Sequence, residues 1–396
     1  MLFPTRVSDT NENMLNPKSE IRNPKFKKVS SKEEQLYVAS QWRLMWWRFK
    51  RHKLAMASAV VLAIFYFVAI FCEFIAPYEP LYRDIDYVQA PPQKIHFVDE
   101  QGKFHLIPFV YKTTQILDSE TWDRKSVEDE SKIYPIRLFV RGDRYKFWNL
   151  FYMDIHLFGV EKGGNIHLLG TDRLGRDMLS RIIYGSRISL SIGLIGIVIS
   201  FFLGISIGGI AGYYGGVIDN VIQRIIETLI SIPGLPLWMA LAAALPAIWS
   251  PLRIYFGMIL IMSIIGWTGL ARVVRGKFLS LREEDFVVAA RLCGTGEAKI
   301  IFKHLLPSFM SHIIISLTLA VPGMIIGETT LSFLNIGLRP PVVSWGVLLQ
   351  SAQNVQAVAM APWLMFPALF VIIVVLAFNF LGDGLRDAAD PYSTNE

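Results

Sequence analysis

Charge is what this chain has least of. Asp, Glu, Lys and Arg make up 18% of its 396 residues, against about 25% in soluble domains. Hydrophobic types reach 53%, and the mean hydropathy is +0.40. That balance excludes an ordinary soluble domain and points to an integral membrane protein. Cysteine is nearly absent: Cys72 lies in an apolar run and Cys293 in a polar stretch. The two fall on opposite sides of the membrane, so neither a disulfide nor a thiolate metal site is expected. Seven histidines show no metal-ligand spacing. A phosphate-binding loop is missing too. Gly276-Lys277 is followed by Phe278, and position 271 is Ala, which breaks the Gly-x4-Gly-Lys-Ser/Thr pattern. No internal repeat and no cleavable leader is visible, so the first apolar run reads as a signal anchor. The net charge of +6 sits beside apolar runs, where it suits membrane flanks and not nucleic acid.

What is there, above all, is long apolar sequence. A helix needs about 20 apolar residues to cross the hydrocarbon. Six segments approach this, giving an all-α membrane protein with six transmembrane helices: Leu54–Cys72, the 31 uncharged residues between Arg187 and Asp219, Thr228–Leu252, Ile254–Ala271, Leu305–Gly327 and Pro362–Gly382. Pro233, Pro236 and Pro322 are expected to kink them. Lys and Arg in short loops set the orientation. With both termini in the cytoplasm, the inside carries fourteen of them and the short outside loops only Arg253 and Arg339.

The organisation follows. Residues 1–53 form a cytoplasmic tail, with 1–29 disordered. Ser31 and Glu34 make a capping box, and Leu36, Trp42, Met45, Trp46 and Phe49 mark a helix lying on the membrane surface. Residues 54–75 hold the first span, and 76–187 an extracytoplasmic insert. Within it, "KIHFVDEQGKFHLI" reads as a hairpin around Gln101-Gly102. "IRLFVRGDRYKFW" reads as a second hairpin that turns at Gly142-Asp143. Residues 188–391 carry the other five spans and a cytoplasmic loop at 272–307.

That loop contains "DFVVAARLCGTGEAKIIFKHLLP" (285–307), a polar stretch between apolar runs. A helix to Leu292, a break at Gly294 and a second helix from Glu297 to Leu306 give a rigid protrusion. Small Ala289, Ala290 and Gly294 let another protein approach. The spacing Ala289-Ala290-x3-Gly294-x11-Leu306-Pro307 resembles the coupling loop of ABC importer permeases. "HLLGTDRLGRDMLSRIIYGSRISL" (167–190), "LSFLNIGLRPPVVSWG" (331–346) and "NFLGDGLRDAADP" (379–391) are similar to the dipeptide and oligopeptide permease branch.

The resemblance implies a type I importer architecture. Two homologous permease subunits form a pathway in the cytoplasmic (inner) membrane of a prokaryote, and an extracytoplasmic substrate-binding protein delivers the solute. Two ATPase subunits, which hold the ATP and Mg, dock on the loops; this chain itself is expected to bind no cofactor. Asp285, Val288, Ala289, Ala290, Gly294, Leu306 and Pro307 take the ATPase-coupling positions. One departure is Val288, where the family carries Glu. In the spans, Glu328 follows 23 uncharged residues. An ionisable residue there reads either as a pathway group or as a hydrogen-bonded partner at an interface. Ser332 and Asn379 join it as pathway candidates. Arg224 and Glu227 are expected to pair, with Asp219 near them. An oligosaccharide or nickel-complex permease, an ion-coupled secondary transporter with Glu328 as proton site, and a membrane scaffold stand as the alternatives.

Overall fold

The structure is a computed structural model, described over residues 41–117, 124–161, 163–246 and 248–389. The tail expectations at 1–29 and the Ser31/Glu34 capping box lie outside those residues. The chain divides into residues 1–44 and the body, residues 45–396.

Helix α1 (Gln41–Arg51) leads to α2 (Lys53–Ile70) and a short α3 (Cys72–Ile75). The other long helices are α4 (Met178–Tyr214), α7 (Pro251–Leu281), α9 (Met310–Phe333) and α11 (Phe366–Ala389), with α5 (Gly216–Ser231), α6 (Gly234–Ala243), α8 (Asp285–Leu292) and α10 (Trp345–Gln350) between them. Among the described residues, five helices are long and apolar enough to cross a membrane, or six when α5 and α6 count as one span.

The third span, expected over Thr228–Leu252 with breaks at its prolines, lies earlier, over Gly216–Ala243, and α5 and α6 meet at 87° on either side of Pro233. Pro233 lacks the N–H that would continue the helix and keeps Ile232 extended. Pro322, in contrast, stays inside an uninterrupted α9. The second span starts earlier than expected, because α4 takes in Arg181 and Arg187. Both charges are neutralised: Arg181 bonds Asp172, and Arg187 Nη1 reaches Glu73 Oε1 at 2.6 Å. Asp177 caps the helix by accepting from Ser180 N at 2.7 Å. With 37 residues, α4 is roughly 55 Å long, so it projects beyond a core of about 30 Å.

The spans pack tightly. A Cβ at Gly208 of α4 would lie 2.4 Å from the Ala271 carbonyl of α7, so only glycine allows that approach. Met258, Met262, Ile325, Trp345 and Val374 centre the main core. A second cluster joins Val274, Phe278, Val287, Leu305, Phe309 and Ile313.

The insert carries two antiparallel sheets, β1 (His96–Val98), β2 (Phe104–Leu117) and β3 (Arg124–Pro135) in one, β4 (Arg137–Phe147) and β5 (Phe151–Gly159) in the other. The first hairpin turns at Asp99–Lys103 as the sequence suggests. The second does not turn at Gly142-Asp143. Both residues lie inside β4, where the pairing with β5 slips between Arg141 and Tyr145. A Cβ on Gly142 would meet His156 Cδ2 at 2.7 Å, so the glycine makes room for that ring. His156 then bridges the Ala76 and Asp143 carbonyls. The actual turn is at Trp148–Leu150.

Candidate functional site

The loop after α7 forms the protrusion expected of it, with a more specific geometry. Helix α8 runs from Asp285 to Leu292, and Val287 is fully buried in the second core cluster. Residues spaced i, i+3, i+4 and i+7 share a helix face. On α8 these are Asp285, Val288, Ala289 and Leu292, and all four are exposed. Leu292 is 84% exposed, and Phe286 on the same helix is also open. The outward face is therefore mainly apolar, with Asp285 at its start. Val288 contributes to it as an apolar residue. Ala290 is turned toward the protein's own core and is partly buried.

Gly294 ends α8 with φ +75°. Thr295 N donates back to Ala290 O at 3.1 Å, the closure of a Schellman turn with glycine at its left-handed position. No neighbour lies within 4 Å of a Cβ built there, so backbone conformation alone demands the glycine. After Gly296 the chain makes a short helical turn at Glu297–Lys299 and a π-type turn over Ile300–Leu305. The expected second helix is thus wider and shorter than a regular one. Leu306 is buried and Pro307 exposed. The fifth span starts at Met310, beyond the non-helical Phe309, and not at Leu305. The apolar residues Leu305, Leu306 and Phe309 pack on Phe278 and Val274 under the loop.

Two side-chain contacts tie the protrusion to the end of α4. Tyr214 Oη donates to Glu297 Oε2 at 2.9 Å, and the Arg291 guanidinium lies 5.9 Å from the Tyr213 ring centre. Deeper in, Arg275 Nη2 donates to Asp219 Oδ2 at 2.6 Å, joining α5 to α7. Sequence reasoning placed Asp219 near Arg224 and Glu227. The latter two do pair, at 3.3 Å, but Asp219 turns to Arg275.

The pathway candidates come out differently. Glu328 and Ser332 have no solvent exposure. Glu328 accepts from Ser344 Oγ at 2.7 Å, Ser332 Oγ at 2.9 Å and Ser189 Oγ at 3.1 Å. Ser189 Oγ also accepts from Trp345 N, and Ser332 Oγ from Leu338 N, each at 3.1 Å. The carboxyl therefore knots α4, α9 and the segment entering α10 within one chain. Within this chain the carboxyl is fully enclosed, and its oxygens are taken up by the three serines. A buried polar group survives in apolar surroundings by finding such partners. Asn379 is half-buried on α11, and among the described residues no hydrogen bond joins it to Glu328 or Ser332.

The segment 167–190 is a structural clasp. Asp172 accepts from Leu174 N and Arg176 N and pairs with Arg176 and Arg181. His167 Nδ1 and Asp177 Oδ1 lie 3.1 Å apart. Sequence reasoning missed these pairs. Their signal was a set of acids and arginines at the edges of apolar runs.

Parts of the chain match known families and proteins. Residues 204–393 match the family described as "Binding-protein-dependent transport system inner membrane component". Residues 40–92 match the "N-terminal TM domain of oligopeptide transport permease C". The chain is 41% identical over 228 residues to the dipeptide transport system permease protein of Bacillus subtilis, covering 57% of this chain and 68% of that one. It is 41% identical over 226 residues to the oligopeptide transport system permease protein of Haemophilus influenzae, covering 57% and 70%. Among solved structures, an inward-facing form of the MetNI methionine ABC transporter covers 53% of this chain and 97% of its own, at 18% identity and a TM-score of 0.41. By its relatives, the chain belongs to the inner-membrane components of binding-protein-dependent transport systems, in the dipeptide and oligopeptide permease branch of the ABC importers.

Proposed function

We propose that this chain is one of two homologous permease subunits that together pass di- or oligopeptides through the cytoplasmic membrane, driven by two separate ATPase subunits. ATP and Mg are held by those partners, and an extracytoplasmic binding protein delivers the peptide. The observation that carries the reading is the α8 protrusion. It offers an exposed face of Asp285, Val288, Ala289 and Leu292, while Val287 roots it in the core beneath α7 and α9. A push on that face moves the spans, because the contact between them is packed side chains and not a flexible tether. The peptide assignment rests on the names of the relatives; a glutathione transport system permease protein of Pectobacterium atrosepticum, 37% identical, marks how far the branch extends among small peptides. The excess of Lys and Arg flanking the protrusion supports cytoplasmic placement of both termini.

The test is reconstitution. The chain, its sister permease, the ATPases and the binding protein are placed in proteoliposomes, and peptide uptake is measured with ATP inside. Uptake that needs all components and ceases without ATP is expected. Transport by this chain alone, driven by an ion gradient, would refute the assignment.

A further inference from the structure

The two matched family ranges leave residues 93–203 uncovered, and the hairpin β4–β5 lies in that gap. We propose that its tip, Phe147–Tyr152, is a membrane anchor seated in the lipid headgroup layer of the leaflet nearest the insert.

The placement follows from α2. Its 18 residues span roughly 27 Å, close to the hydrocarbon thickness of about 30 Å. Lys53 and the basic residues before it mark one boundary, so Ile70 marks the other. The hairpin tip is fastened at that level. Trp148 Nε1 donates to the Ile70 carbonyl at 3.0 Å, as does Arg187 Nη2. The Arg187 guanidinium lies 4.1 Å from the Trp148 ring centre. Phe147 stacks on Phe71 with ring centres 6.0 Å apart. The tip is thus held at the height where the first span leaves the hydrocarbon.

Its side chains suit that height. Leu150 is 79% exposed and Phe151 51%, with Trp148 and Tyr152 also open. Four large apolar or amphipathic residues in five positions are costly in water. They are the types enriched at the membrane–water boundary, where an aromatic ring meets both acyl chain and headgroup. Behind the tip lies a cavity of about 500 Å³, lined by Arg144, Lys146 and Asn149 together with Glu79. Lys146 Nζ sits 4.9 Å from the Tyr152 ring centre. The cavity's cations, Arg144, Lys146 and Arg187, outnumber its acids, Glu73 and Glu79, by one, a balance that suits a phosphate layer. The occupant is therefore the bilayer itself and not a second protein, which would require no coincidence with the end of α2.

The experiment uses the full chain with Cys293→Ser, since Cys293 is the exposed native thiol and Cys72 is buried. Leu150→Cys is labelled with an environment-sensitive fluorophore, and the protein is placed in nanodiscs whose lipids carry bromine high on the acyl chains. Ile64→Cys, on the exposed face of α2, reports insertion of the spans. The Leu150 label should lose more than half of its emission to brominated lipid and resist iodide in the buffer. A Leu150 label that iodide quenches and bromine does not, while the Ile64 label is quenched by bromine, would overturn the proposal and leave the membrane assignment intact.

Discussion

Glu328 shows what a single buried carboxyl can be for. Three serine hydroxyls point at it from three segments. Glu328→Leu leaves those hydroxyls without their acceptor and is expected to cost about 2–4 kcal/mol. It should reduce the amount of folded protein in detergent, read as a lower melting temperature. Glu328→Gln keeps an acceptor oxygen and gains donors that rotated hydroxyls can accept, so most of the loss should be recovered. A pathway role predicts the reverse order of effect, with folding untouched and uptake lost in both. Gly294 is a second residue whose role is conformational. Valine at φ +75° is strained by about 1–2 kcal/mol, whereas Asn tolerates the left-handed region. Gly294→Val should insert normally yet hold the ATPases weakly in a pull-down, and Gly294→Asn should retain them. Equal retention by both variants would mean that the elbow's geometry does not matter to the ATPase.

At the scale of elements, the ion pairs decide where helices begin and how they meet. Glu73 sits on α3 and clamps Arg187 of α4. Burial pushes the Glu73 carboxyl up, but the hydrogen bonds and charge of Arg187 outweigh it and hold the group below its ordinary value. A carboxyl depressed in the folded state stabilises it above the unfolded value of about 4.3, and that contribution is lost as pH falls through the folded value. Glu73→Gln removes the charge and should lower stability by about 1–3 kcal/mol at neutral pH. The difference from wild type, followed by thermal melts, should shrink as the buffer is acidified below the normal carboxylate range. Helix positions were largely legible in the sequence, because long uncharged runs have few alternatives. Their ends were not. The early start of α4 depends on Asp172 and Glu73 neutralising two arginines from elsewhere in the chain. The break at Pro233 was signalled, but not the 87° between the two helices it separates. Gly142-Asp143 carried a turn signal, and only the distant His156 explains why the strand continues. The protrusion was readable from Gly294 and the flanking helix formers. The inward turn of Glu328 was not, since serines are silent in a pattern of apolar residues.

For the whole molecule, the side of the membrane that each part faces can be read directly, because the protein carries its own reporter. Cys293 is exposed beside the Gly294 elbow, and Cys72 is buried. If the protrusion meets ATPases, Cys293 lies in the cytoplasm. Gln101, at the exposed turn between β1 and β2, then lies outside, because one span, α2, separates the insert from the basic segment before Lys53. A membrane-impermeant maleimide applied to intact cells expressing this chain without its ATPases should leave wild-type Cys293 unlabelled until the cells are lysed. In the Cys293→Ser background, Gln101→Cys should label at once in intact cells. Gln101 is preferable to Gly102, whose φ of +79° strains any side chain. Leaving out the ATPases matters, since a docked subunit could shield Cys293 and mimic protection by the membrane. The orientation puts fourteen basic residues inside against two in the short outside loops, so inversion would place the strongly basic flanks on the wrong side of a membrane potential. Labelling of Cys293 in intact cells, with protection at position 101, would turn the chain over and put the α8 face beyond the reach of any cytoplasmic ATPase.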